Sequence, residues 1–174
     1  MKTRFIVLTL LIVATTSFAQ SAADQLKSLN GFVGTWKCTG TAFASDMGPE
    51  HPTSATVTGK WALGGKWLAM RYTEEKTKKN PMPYDVAAYW GWDEGQKKLV
   101  AASVDNMGGY GVESSSGWNG DELIFEGPAH MGAMPPPNGR DTFTRSGKNK
   151  ITHSFAIPDN AGGWKKFDEE TCKK

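Results

Sequence analysis

Residues 84–105 read YDVAAYWGWDEGQKKLVAASVD. Apolar or aromatic residues occupy every second position from Tyr84 to Trp92, and a second run, rich in small and β-branched residues, follows from Lys97. The pair Glu94-Gly95 between the two runs is typical of a tight hairpin turn. The stretch therefore predicts two antiparallel strands joined by a short turn.

The same pattern recurs along most of the chain. One short helical segment, residues 22–29, has Asp24 near its start and Asn30-Gly31 as a stop signal. After it we predict ten strands, at residues 35–44, 53–63, 67–75, 84–93, 97–105, 110–117, 122–126, 141–145, 150–157 and 164–171. An even number of antiparallel strands lets the first pair with the last, which removes exposed edges. The sequence thus predicts an all-β, up-and-down antiparallel barrel of about ten strands with a short N-terminal helix.

The links between the predicted strands alternate in length. Short links rich in Gly and Asn occur at residues 64–65, 94–95, 119–120 and 147–149, and longer ones at 45–52, 76–83, 106–109, 127–139 and 158–163. Successive links of an up-and-down barrel lie at opposite ends. We therefore expect one end closed by tight turns and one open end with irregular loops, where binding residues usually lie.

The chain has two cysteines, Cys38 in the first predicted strand and Cys172 at the end of the last. In an exported protein the simplest expectation is a disulfide between them, and two free thiols are the alternative. Strict alternation places Cys172 on the same face as Lys166, Asp168 and Glu170. We therefore expect the last strand to contain a bulge or to end before Cys172.

The first residues are typical of a secretory signal peptide. Lys2 and Arg4 precede an apolar run, and small residues around Ala19 suit cleavage, so we expect residues 1–19 to be a signal peptide and 20–174 a single domain. No stretch is apolar for the ~20 residues that a transmembrane helix needs. Without residues 1–19 the chain has 18 basic and 18 acidic residues, which argues against nucleic acid as a partner. The expected location is the periplasm or the medium.

Four short motifs carry a family resemblance. They are Gly34-Thr35-Trp36 with Gly40 four residues later, Leu63-Gly64-Gly65-Lys66-Trp67-Leu68, Tyr89-Trp90-Gly91-Trp92-Asp93 and Gly117-Trp118-Asn119-Gly120. Together they resemble bacterial, often exported, calycin-like (lipocalin-like and nitrobindin-like) barrels of unassigned function. The resemblance covers residues 29–167. It implies the barrel and brings no reaction with it.

Alternation also predicts which side chains face the inside. Residues 84, 86, 88, 90 and 92 share one face, residues 151, 153, 155 and 157 share another, and residues 55, 57, 59, 61 and 63 a third. A ten-stranded barrel has room for a small molecule. The candidate ligand-binding residues are Trp61, Tyr84, Trp90, Trp92, Tyr110, His153 and Phe155, with Met131 and Met134 at the open end. Plain core packing is the alternative for each aromatic residue.

Five methionines fall in the predicted loops of the open end, as do His51 and His130. Adaptable Met side chains suit a hydrophobic rim. A Cu(I) site at His130, Met131 and Met134 is a minor alternative, because thioether and imidazole ligands suit soft metals. Haem at His153, which the nitrobindin resemblance implies, is another, although the C-terminal segment that would hold its ligand has no His.

No motif of nucleophilic, metal or phosphate chemistry occurs in the sequence, so an enzyme is not the expected class. The leading hypothesis is an exported protein that binds a small apolar or amphipathic molecule inside the barrel, without a cofactor. The second hypothesis is a protein-interaction or envelope-accessory module with a packed barrel, whose partner binds the open-end loops.

Overall fold

The computed structural model describes residues 21–46, 48–131, 136–159 and 161–174. The predicted signal peptide, residues 1–19, and Met134 lie outside the described residues. Helix α1, Ala22–Ser28, begins at Ser21, whose hydroxyl accepts a hydrogen bond from the Asp24 amide at 3.2 Å. A 3₁₀ turn, Leu29–Phe32, follows directly and buries Leu29 and Phe32. The predicted N-terminal helix is therefore confirmed.

Within the described ranges the chain forms twelve strands. They are β1 Gly34–Ala42, β2 His51–Ala62, β3 Trp67–Glu74, β4 Asp85–Asp93, β5 Lys98–Asp105, β6 Tyr110–Ser115, β7 Trp118–Asn119, β8 Glu122–His130, β9 Asn138–Arg145, β10 Lys150–Pro158, β11 Trp164–Lys166 and β12 Asp168–Lys173. Ten of them pair antiparallel in one closed ring, β1-β2-β3-β4-β5-β6-β8-β9-β10-β12, with β12 returning to β1. The predicted all-β barrel of ten strands is confirmed. β7 and β11 are short strands that pair with β8 and β10.

The structure differs from the prediction between β8 and β9. The predicted loop 127–139 is partly strand, because β8 continues to His130 and β9 begins at Asn138. Gly127 and Pro128 look like strand breakers in sequence. In the barrel, a Cβ atom on Gly127 would lie 2.3 Å from the carbonyl oxygen of Val112 on the neighbouring strand. Glycine permits this close approach, so it marks tight strand packing here and not the end of the strand.

The disulfide between Cys38 and Cys172 is present and joins β1 to β12. The pairing of these strands is unbroken from Lys37 opposite Lys173 to Ala42 opposite Asp168. The expected interruption of the last strand exists, but it lies at Phe167, between β11 and β12. It therefore does not turn Asp168 and Glu170 outward: both acids share the inner face with Cys172.

The half of the barrel that carries the tight turns is filled with apolar side chains. The 3₁₀ turn brings Phe32 into this end, where its ring lies 4.9 Å from Trp90 and 5.4 Å from Phe143. Other buried members of this core are Leu29, Trp36, Leu68, Leu99, Leu123, Phe125 and Ile151. This end of the barrel is therefore plugged. None of the described helices is long and apolar enough to cross a bilayer.

Candidate functional site

The open half of the barrel has a polar interior. The strand register places polar side chains on the inner face above the apolar core. Nine of them are Tyr72, Glu74, Tyr84, Asp105, Glu113, Asp141, His153, Asp168 and Glu170. They come from seven of the ten ring strands or their ends. We call the space between them the chamber.

Water reaches the chamber. The side chains of His153, Asp141 and Asp168 point inward, yet 20%, 27% and 31% of their surface is exposed. Because they lie on the inner face of a closed ring of strands, that exposed surface faces the interior of the barrel. The chamber is therefore an accessible site.

Small side chains widen one wall of the chamber. Ala88 on β4 lies opposite Ser103 on β5, and Ser103 lies opposite Gly111 on β6. The side chains at these three neighbouring inward positions are small or, at Gly111, only a hydrogen atom. This wall therefore leaves room for a ligand.

His153 is the central group of the chamber. Its Nε2 lies 2.6 Å from Oδ1 of Asp141, and its Nδ1 lies 3.7 Å from Oδ1 of Asp168. Its ring stacks on Phe143 at 4.7 Å. Burial opposes protonation of the imidazole, but the hydrogen bond with Asp141 and the charges of Asp141, Asp168 and Glu170 outweigh it and raise its pKa to about 9. His153 is therefore a cation at neutral pH.

Glu113 is held in its protonated form. Burial, the charge of Asp141 and a hydrogen bond with Asp141 raise the pKa of Glu113 far above its ordinary range. Ionising both of two carboxyl groups in contact is energetically unfavourable, so Glu113 keeps its proton and donates a hydrogen bond to Asp141. Asp141 thus accepts hydrogen bonds from Glu113 on one side and His153 on the other.

The other acids of the chamber are also tied to neighbours. Burial raises the pKa of Asp168 to about 6, although the charge of His153 opposes the shift. The Tyr72 hydroxyl donates to Glu170 Oε1 at 2.9 Å, and the Tyr84 hydroxyl donates to Asp105 Oδ2 at 2.8 Å. Burial and these neighbouring acids raise the pKa of both phenols, so both remain hydrogen-bond donors.

Stability is expected to fall as the pH rises from 5 to 9. The pKa of Glu113, Asp168 and His153 is raised in the folded state, so each contributes stability that is full below its unfolded pKa and lost as the pH rises through its folded pKa. Glu113→Gln cannot ionise and keeps a donor for Asp141. We expect this variant to lose less stability over that range than the wild type, by more than about 1 kcal/mol, since one pKa unit corresponds to about 1.4 kcal/mol.

Urea unfolding at pH 5 and pH 9 measures this difference. The matched control is Glu122→Gln, because Glu122 is exposed on β8 and its loss should leave the wild-type pH dependence unchanged. Equal losses of stability in the wild type and Glu113→Gln would contradict the assignment of a bound proton to Glu113.

The structure brings together some of the predicted ligand-binding residues. Tyr84, His153 and Phe155 lie on the inner face of the chamber. Trp90 is buried in the apolar core, and Trp92 packs partly against the same core. Trp61 lies at the plugged end, where its indole Nε1 donates to Oδ1 of Asn30 at 2.8 Å. The three tryptophans therefore lie in the apolar core or at the plugged end of the barrel. Plain core packing was the alternative stated for them.

Tyr110 does not face the inside. Its side chain is exposed on the outer surface and stacks on His130, with the ring centroids 4.1 Å apart. Met131 follows His130 directly at the end of β8. Alternation also placed Leu63 on the inner face. This prediction is wrong, because Leu63 is 70% exposed in the turn after β2.

Haem was a minor alternative at His153. Each ring nitrogen of His153 lies near a carboxylate, so iron ligation there would displace Asp141 or Asp168.

Sequence reasoning missed the acids of the chamber. A charged residue in a strand is normally assigned to the solvent side. The signal was present in the last strand. A disulfide requires Cys172 to share the face of Cys38, which is also the face of the buried Trp36, and alternation then places Glu170 and Asp168 on that inner face. On β6, Glu113 shares its face with the small residues Gly111 and Ser115, and this pattern likewise indicates an inner face.

Comparison with known proteins identifies relatives by family and by fold. The family model described as Protein of unknown function (DUF1579) matches residues 21–174. Among solved structures, the crystal structure of Rv2717c from M. tuberculosis is similar with a TM-score of 0.66 at 11% identity, over 88% of this chain and 99% of that chain. At this identity the likeness shows the barrel fold alone. No curated protein matches this chain.

Proposed function

The chain belongs to the DUF1579 family, proteins of unknown function, and we propose that it binds one small amphipathic molecule non-covalently in the chamber. The observation that carries the proposal is the partial exposure of the inward-facing side chains of His153, Asp141 and Asp168. A barrel packed throughout would leave these groups no surface for water to reach. Water in such a site is what a ligand displaces.

The two ends of the chamber favour a molecule with two chemical ends. Its floor is apolar, with Val57 and Met70 partly buried against the core. Its upper wall carries the carboxylates and the two tyrosine hydroxyls. An apolar part of the ligand would lie on the floor, and a polar part would replace water at the wall.

An exported location is part of the proposal. The disulfide between β1 and β12 suits an oxidising compartment, and residues 1–19 have the pattern of a signal peptide. Native mass spectrometry of the protein from its host's envelope fraction tests both points. We expect a chain that starts after the signal peptide, two hydrogens lighter than the reduced form, with an added mass that is lost on denaturation. A chain that retains residues 1–19, found in the cytoplasm, would contradict the location.

Two neighbouring substitutions test the site. Ser103→Phe fills the wide wall of the chamber, whereas Val104→Phe adds the same ring to the outer surface, where Val104 is 58% exposed. With the uncharged fluorescent probe N-phenyl-1-naphthylamine, we expect one saturable site per chain. Ser103→Phe should weaken binding at least about ten-fold, since an overpacked site costs about 1 to 3 kcal/mol, and Val104→Phe should change it less than about two-fold. Equal binding by wild type and Ser103→Phe would contradict a ligand in the chamber.

A protein-interaction role is the second candidate, favoured by one observation. Tyr89, Val104, Tyr110 and Val112 lie on the outer face of β4, β5 and β6 and are 46% to 58% exposed. Apolar side chains grouped on a sheet face are typical of contact surfaces. Loss of probe binding in Val104→Phe but not in Ser103→Phe would favour this face over the chamber.

A further inference from the structure

The chamber carries a large excess of negative groups. Six carboxyl side chains face it. Two imidazole rings accompany them among the described residues: His153, and His51 at the start of β2, whose Nε2 lies 4.0 Å from Oε1 of Glu74. With the proton on Glu113, five carboxylates remain against these two rings, so negative charge is in excess. A cation entering the chamber is therefore attracted, and an anion is repelled.

Asp168 is the carboxylate best placed to meet a ligand. Its side chain is 31% exposed, compared with 27% for Asp141, the other acid whose oxygen lies next to a ring nitrogen of His153. Its Oδ1 accepts a hydrogen bond from the Phe155 amide at 3.1 Å. Among the described residues none donates a hydrogen bond to its Oδ2. This oxygen is therefore available for a donor on the ligand.

Two tyrosine rings lie beside the carboxylates of the chamber. Tyr72 and Tyr84 face the chamber with their ring centroids 6.3 Å apart and their planes tilted by 57°. Because each hydroxyl is fixed on an acid, the rings are held in place. Ring faces beside carboxylates are the surroundings that organic ammonium groups prefer.

A buried hydroxyl gives a second, independent indication of a ligand. Thr53, on the inner face of β2, is 7% exposed, and its Oγ1 has no hydrogen-bond partner among the described residues. Thr53 lies opposite Gly40, which lies opposite Glu170 on β12. Buried polar groups in folded proteins are normally paired, so this hydroxyl is suited to a partner that the chain itself does not provide.

Resting on the proposed function, we infer that the ligand of the chamber is an organic cation, with an ammonium group beside Asp168 and an apolar part on the floor at Val57 and Met70. The head group donates to the carboxylate and packs on the tyrosine rings. Charge therefore sets the selectivity of the site, and the apolar floor adds affinity without discriminating between head groups.

A series of probes with one chain length and three head groups tests this inference. Octylamine, octanol and octanoate are titrated into the wild-type protein by calorimetry at pH 7.5 and low salt. We expect octylamine to bind at least ten-fold more tightly than octanol, and octanoate to bind more weakly than octanol. Equal binding of all three would overturn the charge selectivity and leave the proposed function intact. No binding of any of them, together with no binding of the fluorescent probe, would overturn the proposed function as well.

Asp168→Asn identifies the head-group contact. We expect it to weaken octylamine binding at least ten-fold and to change octanol binding less than two-fold. The control, Asp46→Asn, removes an exposed acid in the loop between β1 and β2 at the same end of the barrel and should leave both affinities unchanged. Urea unfolding shows whether Asp168→Asn is folded, and the wild-type series tests the inference without it. Calcium ions that bind alone and exclude octylamine would overturn the inference in favour of a metal site.

Discussion

Gly40→Ala is expected to destabilise the barrel by at least about 3 kcal/mol. A Cβ atom at this position would lie 2.0 Å from the carbonyl oxygen of Glu169 and 2.7 Å from the Cα atom of Glu170. Both are backbone atoms of β12, so no side-chain rotation can relieve the contact. The strands β1 and β12 would have to separate where the ring closes.

The free energy of unfolding in urea measures this effect, and Gly31→Ala is the matched control. Gly31 lies in the 3₁₀ turn, and a Cβ atom there meets no other atom within 4 Å. We expect Gly31→Ala to change stability by less than about 1 kcal/mol. A Gly40→Ala variant that fails to fold while Gly31→Ala folds is the same result in stronger form. Equal stability of the two variants would show that β1 and β12 do not approach as described.

Loss of the disulfide is the second large effect that we expect. The bond between Cys38 and Cys172 closes a loop with a sequence separation of 134 residues. In the chain-entropy model such a loop stabilises the folded state by up to about 5 kcal/mol, and measured values are usually about 2 to 4 kcal/mol. We therefore expect the double variant Cys38→Ala/Cys172→Ala to lose about 3 kcal/mol. Alanine leaves no unpaired polar group in this buried position.

Urea unfolding with and without dithiothreitol checks the prediction. The reductant should lower the unfolding midpoint of the wild type towards that of the double variant, which serves as the control because it contains nothing to reduce. If the wild type unfolds at the same urea concentration with and without reductant, under conditions where thiol labelling shows that the bond is reduced, the contribution of the disulfide is contradicted.

The positions of the strands could be predicted because tight turns leave a clear local signal. Leu63 and Gly64 occupy the turn after β2, and both have a positive φ; for Gly64 this is the conformation that glycine adopts without strain. The pairing of the first strand with the last followed from the even number of strands, and the disulfide confirms it. Where Gly127 and Pro128 continue β8, the local signal failed, since a breaker in sequence can also be a point of close packing.

The chemistry of the site could be predicted only in part. Tyr84, His153 and Phe155 are inward-facing by alternation and do line the chamber. The acids were not predicted, because their cost of burial is offset by partners from distant strands. Tyr72 and Glu170 are 98 residues apart in sequence, yet their side chains are hydrogen-bonded. Alternation within one strand contains no information about such a partner.

The closing strand of the ring has a consequence for how the molecule is made. β12 spans Asp168–Lys173 and pairs with β1 on one side and with β10 on the other. Until β12 takes its place, β1 and β10 each have an unpaired edge, and unpaired edges invite aggregation. Folding therefore requires that these two edges be shielded, for example by a chaperone, until β12 has paired with both. Because Cys172 belongs to the same strand, formation of the native bond reports that the ring has been completed.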